Sequence, residues 1–293
     1  MVRSPARADG ARPVSGRGDP DVGVHELLAG NKAARGRAAT ARRREKAKRP
    51  RQGVFRTIVQ ILGELLITCG IILLLFVAWE LWWTNIAANN AQQQAVHHFA
   101  QEFKGPVTPP AADAPHDFGP PKVAAAPAAD GTVFGVVYIP RFGKDYSRPL
   151  VEGTTAAQLD TLGLGRYDTT AMPGAVGNFA VAGHRQTHGA VLDAIHTLVP
   201  GDKIYVQTND GYYTYVFRNN QIVLPDQTDV LLPVPTQPNV KATQRFMTMT
   251  SCNPRFGSSE RIIAYSVLDS WQPASAGPPA AIARQVAANQ GKG

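Results

Sequence analysis

The chain has 293 residues, of which 44% are hydrophobic and 18% charged, so it holds enough apolar side chains for a sizeable core and is not disordered throughout. Its 27 Gly and 23 Pro are too few for a collagen-like repeat. Its two cysteines exclude a disulfide scaffold and any zinc or iron–sulfur site that needs several cysteine ligands.

The formal net charge of +8 is concentrated in the N-terminal fifth of the chain. Residues 1–56 hold 15 Lys and Arg against 5 Asp and Glu, whereas residues 57–293 hold 15 against 17. Residues 1–56 also contain few aromatic or β-branched side chains, so they cannot bury enough apolar surface to offset their chain entropy. We predict a disordered basic tail over 1–56 and no binding to nucleic acid.

An apolar run from Ile58 to Trp83 follows this tail and predicts a transmembrane helix over 57–83. Its 26 residues give a helix of about 39 Å, which is long enough to cross a bilayer and too apolar on all sides for a core helix. Lys and Arg favour the cytoplasmic side, so we expect a single-pass cell-membrane protein with its N-terminus in the cytoplasm and its C-terminal part extracellular. No A-x-A cleavage site follows the run, which argues against a cleaved signal peptide.

The segment over 84–130 is predicted to be a stalk and linker. Thr84–Lys104 is rich in Ala and Gln and indicates a short helix, and 105–130 is rich in Pro and Ala. Pro-rich chain is usually extended, so this part is expected to act as a spacer between the membrane and a folded domain over 131–270. The tail over 271–293 returns to Ala, Pro and Gly and is expected to be disordered.

The folded domain contains short strand-like runs separated by turns rich in Gly, Pro, Asn and Asp. One helix is expected over Thr154–Leu162. About 140 residues of this kind indicate an all-β domain, either a barrel or a sandwich. The predicted strands are 133–140, 176–182, 203–207, 212–218, 245–250 and 261–267.

Cys252, His184 and Arg261 are the side chains best suited to take part in a chemical reaction. Cys252 ends a predicted strand and cannot pair with the other cysteine, Cys69, which lies within the predicted membrane span. His184 also ends a strand, and Arg261 begins the strand that follows Cys252, so a hairpin would bring thiol and guanidinium together. The histidines lack metal-ligand spacing and no P-loop or dinucleotide motif is present, so we expect neither a metal nor a cofactor.

These residues and their order resemble the sortases, a family of membrane-anchored cysteine transpeptidases. The sortase motif T-L-x-T-C is similar to residues 248–252, which read Thr-Met-Thr-Ser-Cys, and residues 173–185 are similar to the strand that carries the sortase histidine. Arg261 matches the sortase arginine in order and spacing. The resemblance covers about 133–268, and the Cys-Asn-Pro at 252–254 and Tyr-Ile-Pro-Arg at 138–141 are most similar to class E of the actinobacteria.

The resemblance implies a closed β-barrel of about eight strands with one or two short helices after a single N-terminal transmembrane helix. It also implies that Cys252 is the nucleophile, His184 the general acid and base, and Arg261 the donor to the oxyanion or the substrate backbone. Tyr138 and Ser251 are implied to bind substrate: Tyr138 helps to select the motif, and Ser251 stands in place of the last Thr of the sortase motif.

Substrates of the family are secreted proteins that end in an L-P-x-T-G-like motif, with L-A-x-T-G typical of class E. The resemblance implies cleavage between Thr and Gly and transfer of the protein to the amine of a peptidoglycan precursor or a pilin. The alternative is a catalytically silent β-domain with a structural or adhesive role at the cell surface. This alternative predicts that Cys252, His184 and Arg261 lie apart, or that the thiol is buried.

Overall fold

The structure of the protein is a computed structural model that describes residues 53–111 and 117–292. The predicted basic tail, apart from its last four residues, lies outside the described residues. The chain divides into two units at Cys69 and Gly70, and the first unit contains only the beginning of a long helix among its described residues.

The described residues form three α-helices, eight β-strands and four 3₁₀ helices. The α-helices are α1 (Val54–Glu102), α2 (Ala156–Leu162) and α3 (Ala283–Asn289). The strands are β1 (Val133–Tyr138), β2 (Ser147–Glu152), β3 (Leu164–Arg166), β4 (Gly177–Ala182), β5 (Lys203–Thr208), β6 (Gly211–Val223), β7 (Arg245–Asn253) and β8 (Glu260–Pro273). The 3₁₀ helices are Pro140–Phe142, Asp193–Thr197, Thr228–Leu231 and Ala274–Ala276.

The eight strands close into a barrel in the order β1-β2-β3-β4-β7-β8-β6-β5. The pairs β2/β3 and β4/β7 are parallel, and the other neighbours are antiparallel. Closure leaves no free sheet edge and decides between the barrel and the sandwich that the sequence left open.

Apolar side chains from every strand fill the barrel, because alternate residues of each strand point inward. Phe179 and Val181 of β4 and Met247 and Met249 of β7 show this period and are at most 1% exposed. Burying a side chain of this size contributes about 1.5–3 kcal/mol, so the barrel forms a rigid support for the loops that leave its strands.

A second apolar cluster lies on the outer surface of the barrel. Val96, Phe99 and Phe103, at the end of α1 and just after it, pack with strand residues including Tyr138 and with Ile282 and Val286 near the C-terminus. The end of the predicted stalk therefore belongs to the folded unit, because a stripe of apolar residues at helical spacing faces β1 and β6.

The predicted disordered tail is wrong over its described part, 271–292. Strand β8 continues to Pro273, and α3 follows with Val286 1% exposed. The expected extended spacer is also absent from the described parts of 105–130. Carbonyl groups of Gly119 and Lys122 accept hydrogen bonds from Trp271 and Tyr213, so aromatic side chains of the barrel hold this segment against it.

One helix among the described residues, Val54–Glu102, is long and apolar enough to cross a membrane. Its most apolar window has a mean hydropathy of 2.6, and none of that window is buried within the protein. Phe55, Leu74 and Trp82 are among its exposed apolar side chains. This agrees with the single N-terminal apolar helix expected from the sequence.

Candidate active site

Three of the predicted reactive side chains line one cleft at an end of the barrel. The cleft has a volume of about 250 Å³ and opens to solvent. Cys252, His184 and Arg261 contribute to its surface and are each half-buried. The cleft is lined by Thr154, Leu159, Tyr167, Ala182, Gly183, His184, Thr250, Ser251, Cys252 and Arg261.

The β7/β8 hairpin places the thiol next to the guanidinium. Cys252 and Arg261 are direct partners in the antiparallel ladder, one position before the loop that joins the two strands. Directly opposite side chains lie on the same face with their Cβ atoms about 4.5–5.5 Å apart. One nitrogen of Arg261, Nη1, donates to the carbonyl oxygens of Ser258 and Glu260 at 2.8 Å each, which anchors the side chain at the mouth of the cleft.

The parallel pair β4/β7 brings His184 level with Cys252. Ala182, the last residue of β4, is the register partner of Thr250, and His184 and Cys252 each lie two positions further along the chain. Residues two apart share a face of a strand, so the imidazole and the thiol leave adjacent strand ends on the same side. The hydroxyl of Ser251 donates to the carbonyl oxygen of Gly183 at 2.8 Å and ties the two strand ends together.

Asp160 of α2 contacts the imidazole from the other side. Its Oδ1 lies 2.7 Å from Nε2 of His184, within hydrogen-bond distance. The carboxylate therefore fixes the orientation of the ring. Asp160 is 39% exposed, so this contact is only partly shielded from solvent.

Arg185 lies behind the nucleophile. Its Nη1 donates to the carbonyl oxygen of Cys252 at 3.2 Å and to the side chain of Asn253, and the residue is only 6% exposed. Burial lowers the pKa of this guanidinium, which nevertheless remains charged because arginine titrates far above neutral pH. A second guanidinium therefore holds the backbone at Cys252.

Helix α1 holds the loop that follows His184. Asn85 donates to the carbonyl oxygen of Gln186 at 3.1 Å and accepts from the backbone NH of Gly189 at 2.7 Å. The side chain of Gln92, which is fully buried, donates to the carbonyl oxygen of His188 at 3.0 Å. The loop has little regular structure, so these side chains supply the backbone partners that a strand would otherwise provide.

Three potential metal ligands that are distant in sequence come together beside the cleft. Asp160, His184 and His188 place one potential ligand atom each within 4.8 Å of one another. Spacing along the sequence missed this group, because Asp160 lies 24 residues before His184 and is brought in by α2.

Tyr138 does not line the cleft. It is fully buried in the second apolar cluster, where its hydroxyl donates to Oε1 of Gln207 at 2.7 Å, and burial raises its pKa. Tyr167 lines the cleft instead, with its hydroxyl 2.9 Å from Oγ1 of Thr250. Sequence reasoning missed Tyr167 because the residue follows a strand of only three residues that has no alternating pattern.

The closed eight-stranded barrel thus presents a thiol, an imidazole and a guanidinium in one cleft. These are side chains of the kinds used in nucleophilic catalysis by cysteine. The chain belongs to the sortase family, whose members are cysteine transpeptidases. Residues 137–269 match the model of the sortase domain.

Several characterised sortases are similar to this chain. Sortase SrtE1 of Streptomyces coelicolor is 34% identical over 83% of this chain, which spans 65% of the length of SrtE1. Sortase SrtE2 of the same organism is 29% identical over 72% of this chain and 81% of SrtE2. The solved structure of the SrtA sortase from Actinomyces oris superposes with a TM-score of 0.54 at 33% identity, covering 56% of this chain and 94% of SrtA. These relatives confirm the resemblance to sortases and to class E.

Proposed function

We propose that this protein is a membrane-anchored transpeptidase that cleaves a C-terminal L-A-x-T-G-like or L-P-x-T-G-like sorting motif between Thr and Gly. It transfers the new carboxyl end to an amine of a cell-wall precursor or a pilin. The cross-strand pairing of Cys252 with Arg261 carries the proposal, because it sets a nucleophile beside a fixed cationic donor in a cleft that His184 also lines.

In the first half-reaction the Cys252 thiolate attacks the carbonyl carbon of the motif's threonine. The carbonyl electron pair moves to oxygen and gives a tetrahedral oxyanion, towards which Arg261 donates a hydrogen bond. His184, as an imidazolium held by Asp160, gives its proton to the departing glycine amine as the C–N bond breaks. The products are a thioacyl-enzyme on Cys252 and a free C-terminal fragment.

In the second half-reaction the acceptor amine attacks the thioester carbonyl. Neutral His184 takes a proton from this amine, the C–S bond breaks and the thiolate returns. Hydrolysis by water is the competing outcome when no amine is bound. The result of transfer is an amide between the threonine carboxyl group and the acceptor, so the net reaction exchanges one amide bond for another.

The apolar helix and the charge distribution support the proposed location. The run over 57–83 anchors the chain in the cell membrane, and the excess of Lys and Arg before it favours a cytoplasmic N-terminus. The catalytic barrel then lies outside the cell, where secreted proteins that carry the sorting motif and the acceptor amines meet. The proposed steps use only side chains of this protein, and we expect no cofactor.

The test is peptide cleavage and ligation by the full chain in detergent micelles. Fluorogenic L-A-x-T-G and L-P-x-T-G peptides are supplied in parallel with a glycine-based amine, and their relative rates decide the motif. Cys252→Ala is expected to abolish cleavage and ligation, whereas Cys69→Ala, which removes the other cysteine, is expected to retain both. Turnover by the Cys252→Ala chain, or none by the folded parent with either peptide, would overturn the proposal and favour the silent surface domain.

A further inference from the structure

The cluster of Asp160, His184 and His188 beside the cleft is suited to a transition-metal ion. We propose that these three side chains bind Zn²⁺ or a similar divalent ion, and that binding switches off transpeptidation by occupying His184. The second part rests on the proposed function, because only there is His184 the proton donor. The first part rests on the geometry of the three side chains alone.

The three ligand atoms lie within 4.8 Å of one another, near enough for one ion to bind all three after small movements of the side chains. Nε2 of His184 lies 2.7 Å and Nδ1 of His188 3.7 Å from the same atom, Oδ1 of Asp160. Zinc bound to nitrogen and oxygen at about 2.0–2.2 Å in a tetrahedron holds its ligands about 3.4 Å apart. One of these two separations must lengthen and the other shorten slightly. The side chains are 27–39% exposed, so they can move without disturbing the core.

His188 has features that the transpeptidase mechanism does not explain. Its φ of 52° lies in the left-handed region, which residues other than Gly adopt rarely and mostly at functional sites. Its Nδ1 is shielded from solvent and has no hydrogen bond among the described residues, yet it faces the Asp160 carboxylate. The carbonyl group of His188 is held by Gln92 of α1, so the loop keeps the ring beside His184, with the ring centroids 5.1 Å apart.

The ligand set indicates which ions fit. Two imidazoles and one carboxylate suit Zn²⁺, Co²⁺, Ni²⁺ and Cu²⁺, whereas Ca²⁺ and Mg²⁺ prefer sites built of oxygen. Three protein ligands leave a coordination position open to water at the mouth of the cleft. A bound ion would replace the proton on Nε2 of His184, so the departing glycine amine would lose its proton donor.

The binding test uses the full chain with Cys252→Ala, which removes the thiol as a possible ligand. Co²⁺ is titrated in detergent, and its visible absorption reports a site of low coordination number. His188→Asn removes one ligand and keeps a residue that tolerates positive φ. We expect it to weaken Co²⁺ binding by about tenfold or more, as the loss of a ligand would. His196→Asn, at an exposed histidine outside the cluster, is the matched control and is expected to bind like the parent.

No saturable Co²⁺ absorption in the Cys252→Ala chain, or equal affinity in the His188→Asn chain, would overturn the metal site. The second arm measures peptide ligation by the chain with Cys252 intact as Zn²⁺ is added and then removed by a chelator. We expect reversible inhibition that needs about ten times more Zn²⁺ in the His188→Asn chain. Equal inhibition of both chains would overturn the switch and identify the thiol as the target. A chain that binds Co²⁺ through His188 but never ligates peptide would contradict the proposed function and leave the metal site standing.

Discussion

The two walls of the cleft are built in different ways. Cys252 and Arg261 lie on neighbouring strands whose ladder runs uninterrupted to the hairpin loop, so backbone hydrogen bonds fix their separation. His184 lies just beyond the end of β4, in a segment that is held in part by side chains from α1 and α2. We call the side of the cleft with Cys252 and Arg261 the rigid wall, because its strand register fixes it. The side with His184 is the histidine wall, and it depends on a few contacts that single substitutions can remove.

The largest expected effect, apart from loss of the nucleophile, comes from Arg261 on the rigid wall. Arg261→Ala should lower kcat/KM for peptide cleavage by about 10²–10³-fold, because one oxyanion donor is lost. The fold should be unchanged, since the side chain is half-buried and donates to backbone carbonyls near the hairpin loop. Steady-state kinetics measures kcat/KM, and thermal unfolding is the control that checks the fold. Activity within twofold of the parent would remove Arg261 from the mechanism.

A smaller effect is expected from Asp160 on the histidine wall. Asp160→Asn keeps the size of the side chain but loses the charge that holds the His184 imidazolium. Because Asp160 is 39% exposed, we expect about a tenfold fall in kcat with KM little changed, much less than for a buried catalytic aspartate. Asp168→Asn, at an aspartate that does not line the cleft, is the control. A rise in KM alone would show that Asp160 acts on substrate binding instead.

The contact between α1 and the histidine loop should have a measurable effect of its own. Gln92→Ala removes the hydrogen bond to the carbonyl of His188, and such a bond contributes about 1 kcal/mol. If this energy favours the loop conformation that positions His184 for catalysis, its loss lowers activity by about fivefold. Gln94→Ala, two residues along the same helix and exposed, should leave activity unchanged. Equal activity of both variants would mean that the loop is held without α1.

The smallest expected effect comes from Ser251, whose hydroxyl makes one of the hydrogen bonds between the two walls. Ser251→Ala removes the hydroxyl that donates to the carbonyl of Gly183. The loss of about 1 kcal/mol should lower the midpoint of thermal unfolding by about 2–4 °C. Calorimetry of the full chain checks this value. A drop of more than about 10 °C would mean that Ser251 supports the barrel itself and not only the strand ends.

The rigid wall could be predicted from the sequence because its geometry is local. Strands β7 and β8 are adjacent in sequence and joined by a short loop, so the distance in sequence between Cys252 and Arg261 already implied that the two residues pair across a hairpin. The bounds of β1, β4 and β5 were also close to prediction, each within two residues.

The parts that could not be predicted depend on contacts distant in sequence. Strand β2 contains Pro149 and ends in a charged residue, so its sequence gives only a weak strand signal. In the structure the charge of Glu152 is compensated by buried Arg166 of β3. Helix α3 has a weak apolar stripe that is stabilised only by packing against the barrel. Asp160, the partner of His184, lies 24 residues earlier, and Gln92, the partner of His188 in the loop that follows, lies 96 residues before it; a single Asp or Gln gives no signal in the sequence.

The most direct measurement is the intact mass of the full chain after incubation with the preferred peptide in the absence of an amine. The account predicts an added mass equal to the peptide up to its threonine, mapped to Cys252 by proteolysis, with release of the glycine-containing fragment. Cys252→Ala should gain no mass. An acyl group on any other residue, or cleavage without a covalent adduct in the parent under rapid acid quench, would contradict it.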